Sequence, residues 1–179
     1  MFKEDQCILV IVDVQGKLAG LMSGAEQVVE KISQLIRGFK VLGLPMIYLE
    51  QMPEKLGSTV DGLSVLLANE TAISKTTFSC MGTDVFNAAL TKTGRKQVIL
   101  VGIEAHICVY QSARDLLNEG YEVAVLEDAV SSRTEVNKRI GIEKMAKLGA
   151  EIYSVEMLLF EILADASHSK FRDIARVIK

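Results

Sequence analysis

The 179-residue chain has no tryptophan, two prolines, two histidines and three cysteines. The cysteines, Cys7, Cys80 and Cys108, form an odd set without a C-x-x-C pair, which excludes a disulfide framework and points to reduced thiols. Basic residues are not in excess: 20 Lys and Arg against 23 Asp and Glu give a net charge of -3. With no basic block, the footprint that phosphate-backbone binding needs is missing, and nucleic acid is not an expected partner. The apolar runs around Cys7–Val12 and Val98–Val101 fall far short of the roughly 20 residues that span a bilayer, so membrane insertion is not expected. Met1-Phe2-Lys3-Glu4-Asp5 leads into a strand-like run without the basic and apolar segments of a secretory signal, and a cytoplasmic protein is expected. No G-x-G-x-x-G, Walker loop, G-x-S-x-G elbow or H-E-x-x-H occurs, which removes support for nucleotide, serine-hydrolase and zincin chemistry. No repeat or Pro/Ser/Gly-rich linker interrupts the chain, so a single domain over 1–179 is expected.

What is present is an alternation of short β-branched runs with longer stretches of helical period, the pattern of repeated βαβ units. Strands are expected at Cys7–Asp13, Pro45–Glu50, Ala72–Lys75, Gln97–Ile103, Glu122–Leu126 and Glu151–Ser154. Helices are expected at Ala25–Leu42, Val85–Thr93, His106–Glu119, Glu135–Leu148, Val155–Leu163 and His168–Ile178, the first four closing on Gly43, Gly94, Gly120 and Gly149. Continuous apolar strands such as Ile8–Val12 are those covered on both faces. The expected fold is α/β: a three-layer sandwich with a six-stranded, mostly parallel sheet flanked by helices.

Open sheets of this kind bind ligands outside the carboxyl ends of their strands. Those ends carry Asp13, Glu50 and Gln51, Lys75, and the turn Glu104–Cys108. Cys108 falls in the first turn of a helix, where free N–H groups and a neighbouring ammonium such as Lys75 favour thiolate over thiol. Amides of the same turn can meet the oxyanion of a tetrahedral intermediate. Asp13, at the rim of an apolar strand, can exchange the thiol proton as base and then acid. Each residue has a plainer reading: Cys108 as a small buried hydrophobe, Asp13 as a helix cap, Lys75 as a solvated loop residue. Only their convergence lifts the three together. His106 lies two residues before Cys108, too close in one turn to face it as a base, and Cys7 and Cys80 read as packing residues. Two apolar segments, Val155–Phe160 and Ile162–Ala164, suggest surface for a second copy, and a homo-oligomer is expected.

Three ordered motifs, Val12-Asp13-Val14-Gln15, Ser74-Lys75-Thr76-Thr77-Phe78-Ser79 and Gly102-Ile103-Glu104-Ala105-His106-Ile107-Cys108-Val109, together resemble the isochorismatase-like cysteine hydrolases. The last stretch is most similar to the isochorismatase-domain-containing subgroup, and the likeness covers nearly the whole chain. It implies an Asp-Lys-Cys triad at Asp13, Lys75 and Cys108, a cis peptide at Ile103–Glu104, and an oxyanion hole from the amides of Glu104 and Cys108. Gln15, Gln51 and Phe78 are expected to line the substrate pocket. Metal-binding nicotinamidases of this superfamily carry histidines after the second strand, whereas Gln51–Asp61 has none, so neither metal nor other cofactor is expected. True isochorismatases resemble Ala105-His106-Ile107 but carry glycine where this chain has Cys108. The expected activity is hydrolysis of a C–N bond in a small amide- or ureide-like substrate through a thioester on Cys108, an amidohydrolase chemistry. The alternative is a catalytically silent binding or redox-sensing protein on the same fold.

Overall fold

A computed structural model describes residues 1–179. Its centre is a six-stranded, all-parallel sheet in the order β3-β2-β1-β4-β5-β6. The strands are β1 (Cys7–Val12), β2 (Met46–Gln51), β3 (Ile73–Lys75), β4 (Gln97–Ile103), β5 (Glu122–Ser131) and β6 (Glu151–Tyr153). The helices are α1 (Gly16–Ala19), α2 (Ala25–Leu42), α3 (Pro53–Leu56), α4 (Asp61–Ser64), α5 (Asp84–Thr93), α6 (Tyr110–Asn118), α7 (Glu135–Lys147), α8 (Val155–Leu163) and α9 (Phe171–Ile178).

Side chains alternate across a strand, so β1 feeds two cores at once. Cys7, Leu9 and Ile11 join a 30-residue cluster under α2, α8 and α9, while Ile8, Val10 and Val12 join a 22-residue cluster under α5, α6 and α7. In α2 the buried residues Val28, Ile32, Leu35, Ile36, Phe39 and Leu42 recur at helical spacing. Gly43 ends that helix at φ 68°, its N–H reaching the carbonyls of Lys40 and Phe39, a left-handed stop that glycine takes without a Cβ penalty.

Three expectations about elements are corrected. β5 continues to Ser131 instead of ending at Leu126, because two steps along β4 (Leu100 to Gly102) are matched by five along β5 (Val125 to Val130). That bulge carries Glu127 and Asp128, which break the apolar run in the sequence; Asp128 Oδ1 accepts the Val155 N–H at 2.9 Å and so anchors the start of α8. The segment after β4 is not one helix from His106: residues Ala105–Val109 form a π-helical turn that passes into α6. The C-terminal apolar segments are not free surface, since Val155, Leu158, Leu159, Ile162 and Leu163 are buried in the chain's own core and Met157 is the one large apolar side chain there that is exposed. No helix is long and apolar enough to cross a membrane.

Strand order reverses between β1 and β4, which are neighbours in the sheet but far apart in the chain. Gly102 of β4 sits opposite Val12 with φ 116°, and a Cβ there would lie 2.1 Å from the Val12 carbonyl oxygen. Only glycine lets the two strand ends come this close at the switch point.

Candidate active site

Asp13 leaves the end of β1 with φ 53°, a left-handed conformation that Asp tolerates better than most residues. Its N–H still bonds the Leu49 carbonyl at 3.1 Å, and the residue is 1 % exposed. It does not cap α1, whose N-cap is Gln15. Instead Asp13 Oδ2 lies 2.6 Å from Lys75 Nζ, in an ion pair sealed from solvent.

Lys75 ends β3, two strands away, and its side chain crosses the end of β2 to reach Asp13. On the way Nζ meets Gln51 Oε1 at 2.8 Å and the carbonyls of Thr77 and Phe78 at 3.1 Å each. Four acceptors surround an ammonium that has three N–H groups, so every donor is engaged. Glu50, beside Gln51, accepts the N–H and hydroxyl of Thr59 at 2.7 and 2.8 Å, which pins the loop after β2 against the sheet.

Gln51 and Gln15 take a role other than the expected pocket lining. Gln15 is fully buried: its Oε1 accepts the Gln51 N–H at 2.6 Å and its Nε2 donates to the Gln51 carbonyl at 3.1 Å and the Gly57 carbonyl at 2.6 Å. Gln51, 8 % exposed, donates its Nε2 to the Thr76 carbonyl at 2.8 Å. The two amides therefore build the floor under Lys75. Phe78 differs: its ring is about half exposed while its carbonyl faces Lys75.

Cys108 arrives from β4. After the cis peptide Ile103–Glu104, the π-helical turn carries Cys108 to a buried position beside Asp13. Gly141 of α7 packs onto this turn so tightly that a Cβ would lie 2.8 Å from the Ala105 carbonyl. After burial, which dominates both groups, the Asp13 carboxyl raises the Cys108 thiol and the Glu104 backbone lowers it, while the thiol in turn lowers Asp13 slightly, so these groups are neighbours. Asp13 Oδ1, the oxygen not used by Lys75, is buried without a formed hydrogen bond.

The expectation of a resting thiolate is corrected. Burial, with the Asp13 charge second, pushes the Cys108 thiol up to about 12, and the Lys75 charge opposes this without overcoming it. Burial also raises Asp13 above the usual carboxylate range despite Lys75. At neutral pH the sulfur therefore holds its proton and needs a nearby acceptor to lose it.

His106 is held elsewhere, Nδ1 to Ser132 Oγ at 2.9 Å. Cys7 and Cys80 are fully buried, their thiols also pushed up to about 12 by burial. Two further supports were not legible in the sequence. Ser112, one turn beyond Cys108, accepts the Cys80 N–H at 2.9 Å and ties the loop after β3 to α6. Arg133 donates through Nε to Glu104 Oε2 at 3.1 Å; a lone basic residue in the loop after β5 was its only signal. Size does not select this site: the roomiest surface groove, about 530 Å³ and lined in part by Met81, Asn87, Asp115 and Tyr121, contains none of Asp13, Lys75 or Cys108.

Residues 7–157 match the family model described as "Isochorismatase domain". The chain is 36% identical over 146 residues to isochorismatase domain-containing protein 1 of Danio rerio, covering 82% of this chain and 51% of that protein. The chain thus spans about half the length of that relative. It is 35% identical over 176 residues to the secreted isochorismatase effector Isc1 of Phytophthora sojae, covering 96% and 84% of the two chains. Among solved structures, one described as the MAR1 ribonuclease of Caenorhabditis elegans superposes with TM-score 0.93 at 34% identity, over 99% of this chain and 91% of that one. An Escherichia coli protein described as an octameric hydrolase of unknown specificity has the same fold, with TM-score 0.93 at 21% identity over 99% and 88% of the chains.

Proposed function

This chain belongs to the isochorismatase family, and from that premise we propose that it is a cysteine-dependent hydrolase cleaving a C–N bond in a small amide- or ureide-like substrate. The observation that carries the reading is Asp13: one carboxylate oxygen is bound to Lys75 at 2.6 Å, the other is buried and unbonded, and the Cys108 thiol is near enough to the carboxyl for each to shift the other's titration.

Asp13 takes the proton of Cys108, and the sulfur attacks the carbonyl carbon of the substrate. Negative charge moves to the carbonyl oxygen, where the amides of Glu104 and Cys108 receive it. The C–N bond breaks as Asp13 returns the proton to nitrogen, which leaves as ammonia or an amine. A water molecule then gives a proton to Asp13 and adds to the thioester carbonyl, and the C–S bond breaks with the sulfur reprotonated. Lys75 stays protonated throughout and supplies the positive charge against which the thiolate forms. No step uses a metal.

RNA, suggested by the description of the Caenorhabditis elegans structure, fits this chain poorly as a substrate. A net charge of -3 without a basic block lacks the electrostatics that RNA binding needs. A homo-oligomer accords with the octamer of the Escherichia coli protein. Location does not follow from the family, since one relative is named a secreted effector; the cytoplasm stays our reading.

Cys108→Ala should remove turnover of a panel of small primary amides and ureides while the circular dichroism spectrum stays unchanged. An acyl adduct on the Cys108 peptide, seen by mass spectrometry after rapid quenching, would support the thioester; undiminished turnover in Cys108→Ala would end the proposal.

A further inference from the structure

Two of the four acceptors around the Lys75 ammonium are backbone carbonyls. Those of Thr77 and Phe78, 3.1 Å each from Nζ, belong to the loop that runs from the end of β3 to the start of α5. Charge draws the Asp13 carboxylate to the ammonium, whereas a neutral carbonyl meets it only where the loop turns its oxygen inward. Whatever fixes that turn also fixes the charge.

The loop is tied on both sides of the two carbonyls. Upstream, Gln51 Nε2 donates to the Thr76 carbonyl at 2.8 Å. Downstream, the Cys80 N–H donates to Ser112 Oγ at 2.9 Å. That N–H lies in the peptide plane immediately after the one carrying the Phe78 carbonyl, with only Ser79, at φ -69° and ψ 138°, between them. Cys80 and Ser112 are both fully buried, so solvent does not replace the bond when it is lost. Between the ties, Thr77 Oγ1 donates to the Ser79 carbonyl at 2.8 Å, and Gly82 packs against Thr77 so closely that a Cβ would lie 2.6 Å from its hydroxyl oxygen. Ser112 itself belongs to α6, the helix that continues the turn bearing Cys108.

We propose that Ser112 is a positioning residue: through the Cys80 N–H it keeps the Thr77 and Phe78 carbonyls on Lys75, and so keeps the ammonium where it offsets the forming thiolate. This rests on the reading of Cys108 as the nucleophile and Lys75 as its counter-charge. Ser112 acts through the loop and takes no part in proton transfer, which stays with Asp13.

The test labels Cys108 with iodoacetamide and follows the rate by mass spectrometry of the Cys108 peptide. Ser112→Ala should slow labelling by about tenfold, the scale of one hydrogen bond to a charged group, and by the same factor at about pH 7 and about pH 8.5, because Asp13 still receives the proton. Ser112→Thr keeps the hydroxyl acceptor and should recover most of the rate. Cys80→Ala keeps the N–H and removes only the thiol, so its rate should match wild type. A Ser112→Ala rate equal to wild type, an equal slowing in Cys80→Ala, or no recovery in Ser112→Thr would overturn the role of Ser112 and leave the nucleophile standing. Faster labelling that climbs with pH in Ser112→Ala, the mark of an opened fold and an exposed thiol, would overturn it as well. Absence of labelling at Cys108 in the wild-type protein would overturn the nucleophile and this inference with it.

Discussion

With its ammonium 2.6 Å from Asp13 and every N–H engaged, Lys75 in the proposed mechanism acts on the thiol through its charge and not as a proton donor. The charge also keeps Asp13 soluble in an apolar setting: an unpaired carboxylate at 1 % exposure has no compensation for its lost hydration. Lys75→Met should therefore lower stability by about 3–5 kcal/mol, the penalty for orphaning one partner of a buried pair. Urea denaturation checks this, and a loss under about 1 kcal/mol would show that Asp13 finds another partner or takes up a proton. The two glutamines act at the same scale. Gln15 clamps both backbone groups of Gln51, and Gln51 in turn orients Lys75, so Gln51→Leu should slow turnover by weakening the grip on Lys75 while Cys108 remains alkylatable.

Among the elements, the pair β1 and β4 decides whether the site exists. Gly102→Ala would place a methyl carbon 2.1 Å from the Val12 carbonyl oxygen at a φ that side chains rarely adopt. Strain and overpacking together should cost about 3 kcal/mol or more, which for a chain of this size lowers the melting temperature by roughly 6–12 °C. Thermal unfolding followed by circular dichroism measures it, and an unchanged melting temperature would contradict the close strand approach. The sequence made the strands visible wherever burial is two-sided: Cys7–Val12 and Val98–Ile103 are uninterrupted apolar runs, and β4 has the expected ends. It hid the end of β5, because Glu127 and Asp128 look like a loop until Asp128 is seen to hold the start of α8. The short turns α1, α3 and α4 were equally hidden; they are set by contacts such as Gln15 to Gly57 and not by helical period.

At the scale of the whole molecule, Asp13 and Lys75 form their ion pair because strand order places their ends along one edge, and the Cys108 thiol lies near enough to feel both charges. Residue types and strand ends made that trio legible; the protonation state of the sulfur was not, because desolvation depends on packing from both cores. The same desolvation links folding to pH. Cys7, Cys80 and Cys108 have ordinary values of 9.0 and folded values near 12, so the folded chain keeps protons that the unfolded chain releases. Their contribution to stability is complete below pH 9 and is lost as pH rises toward 12, at about 1.4 kcal/mol per thiol for each unit crossed. The urea midpoint should fall across that window, less steeply in Cys7→Ala or Cys80→Ala; a midpoint independent of the thiols would remove the linkage. The central claim, that Asp13 and Cys108 share one proton inside the fold, has its most direct test in the pH dependence of Cys108 alkylation by iodoacetamide. A proton passed from sulfur to carboxylate never reaches solvent, so the wild-type rate should be nearly flat from about pH 7 to about pH 8.5, whereas in Asp13→Asn the solvent must take it and the rate should climb about tenfold per pH unit. Equal slopes in the two proteins would contradict the account.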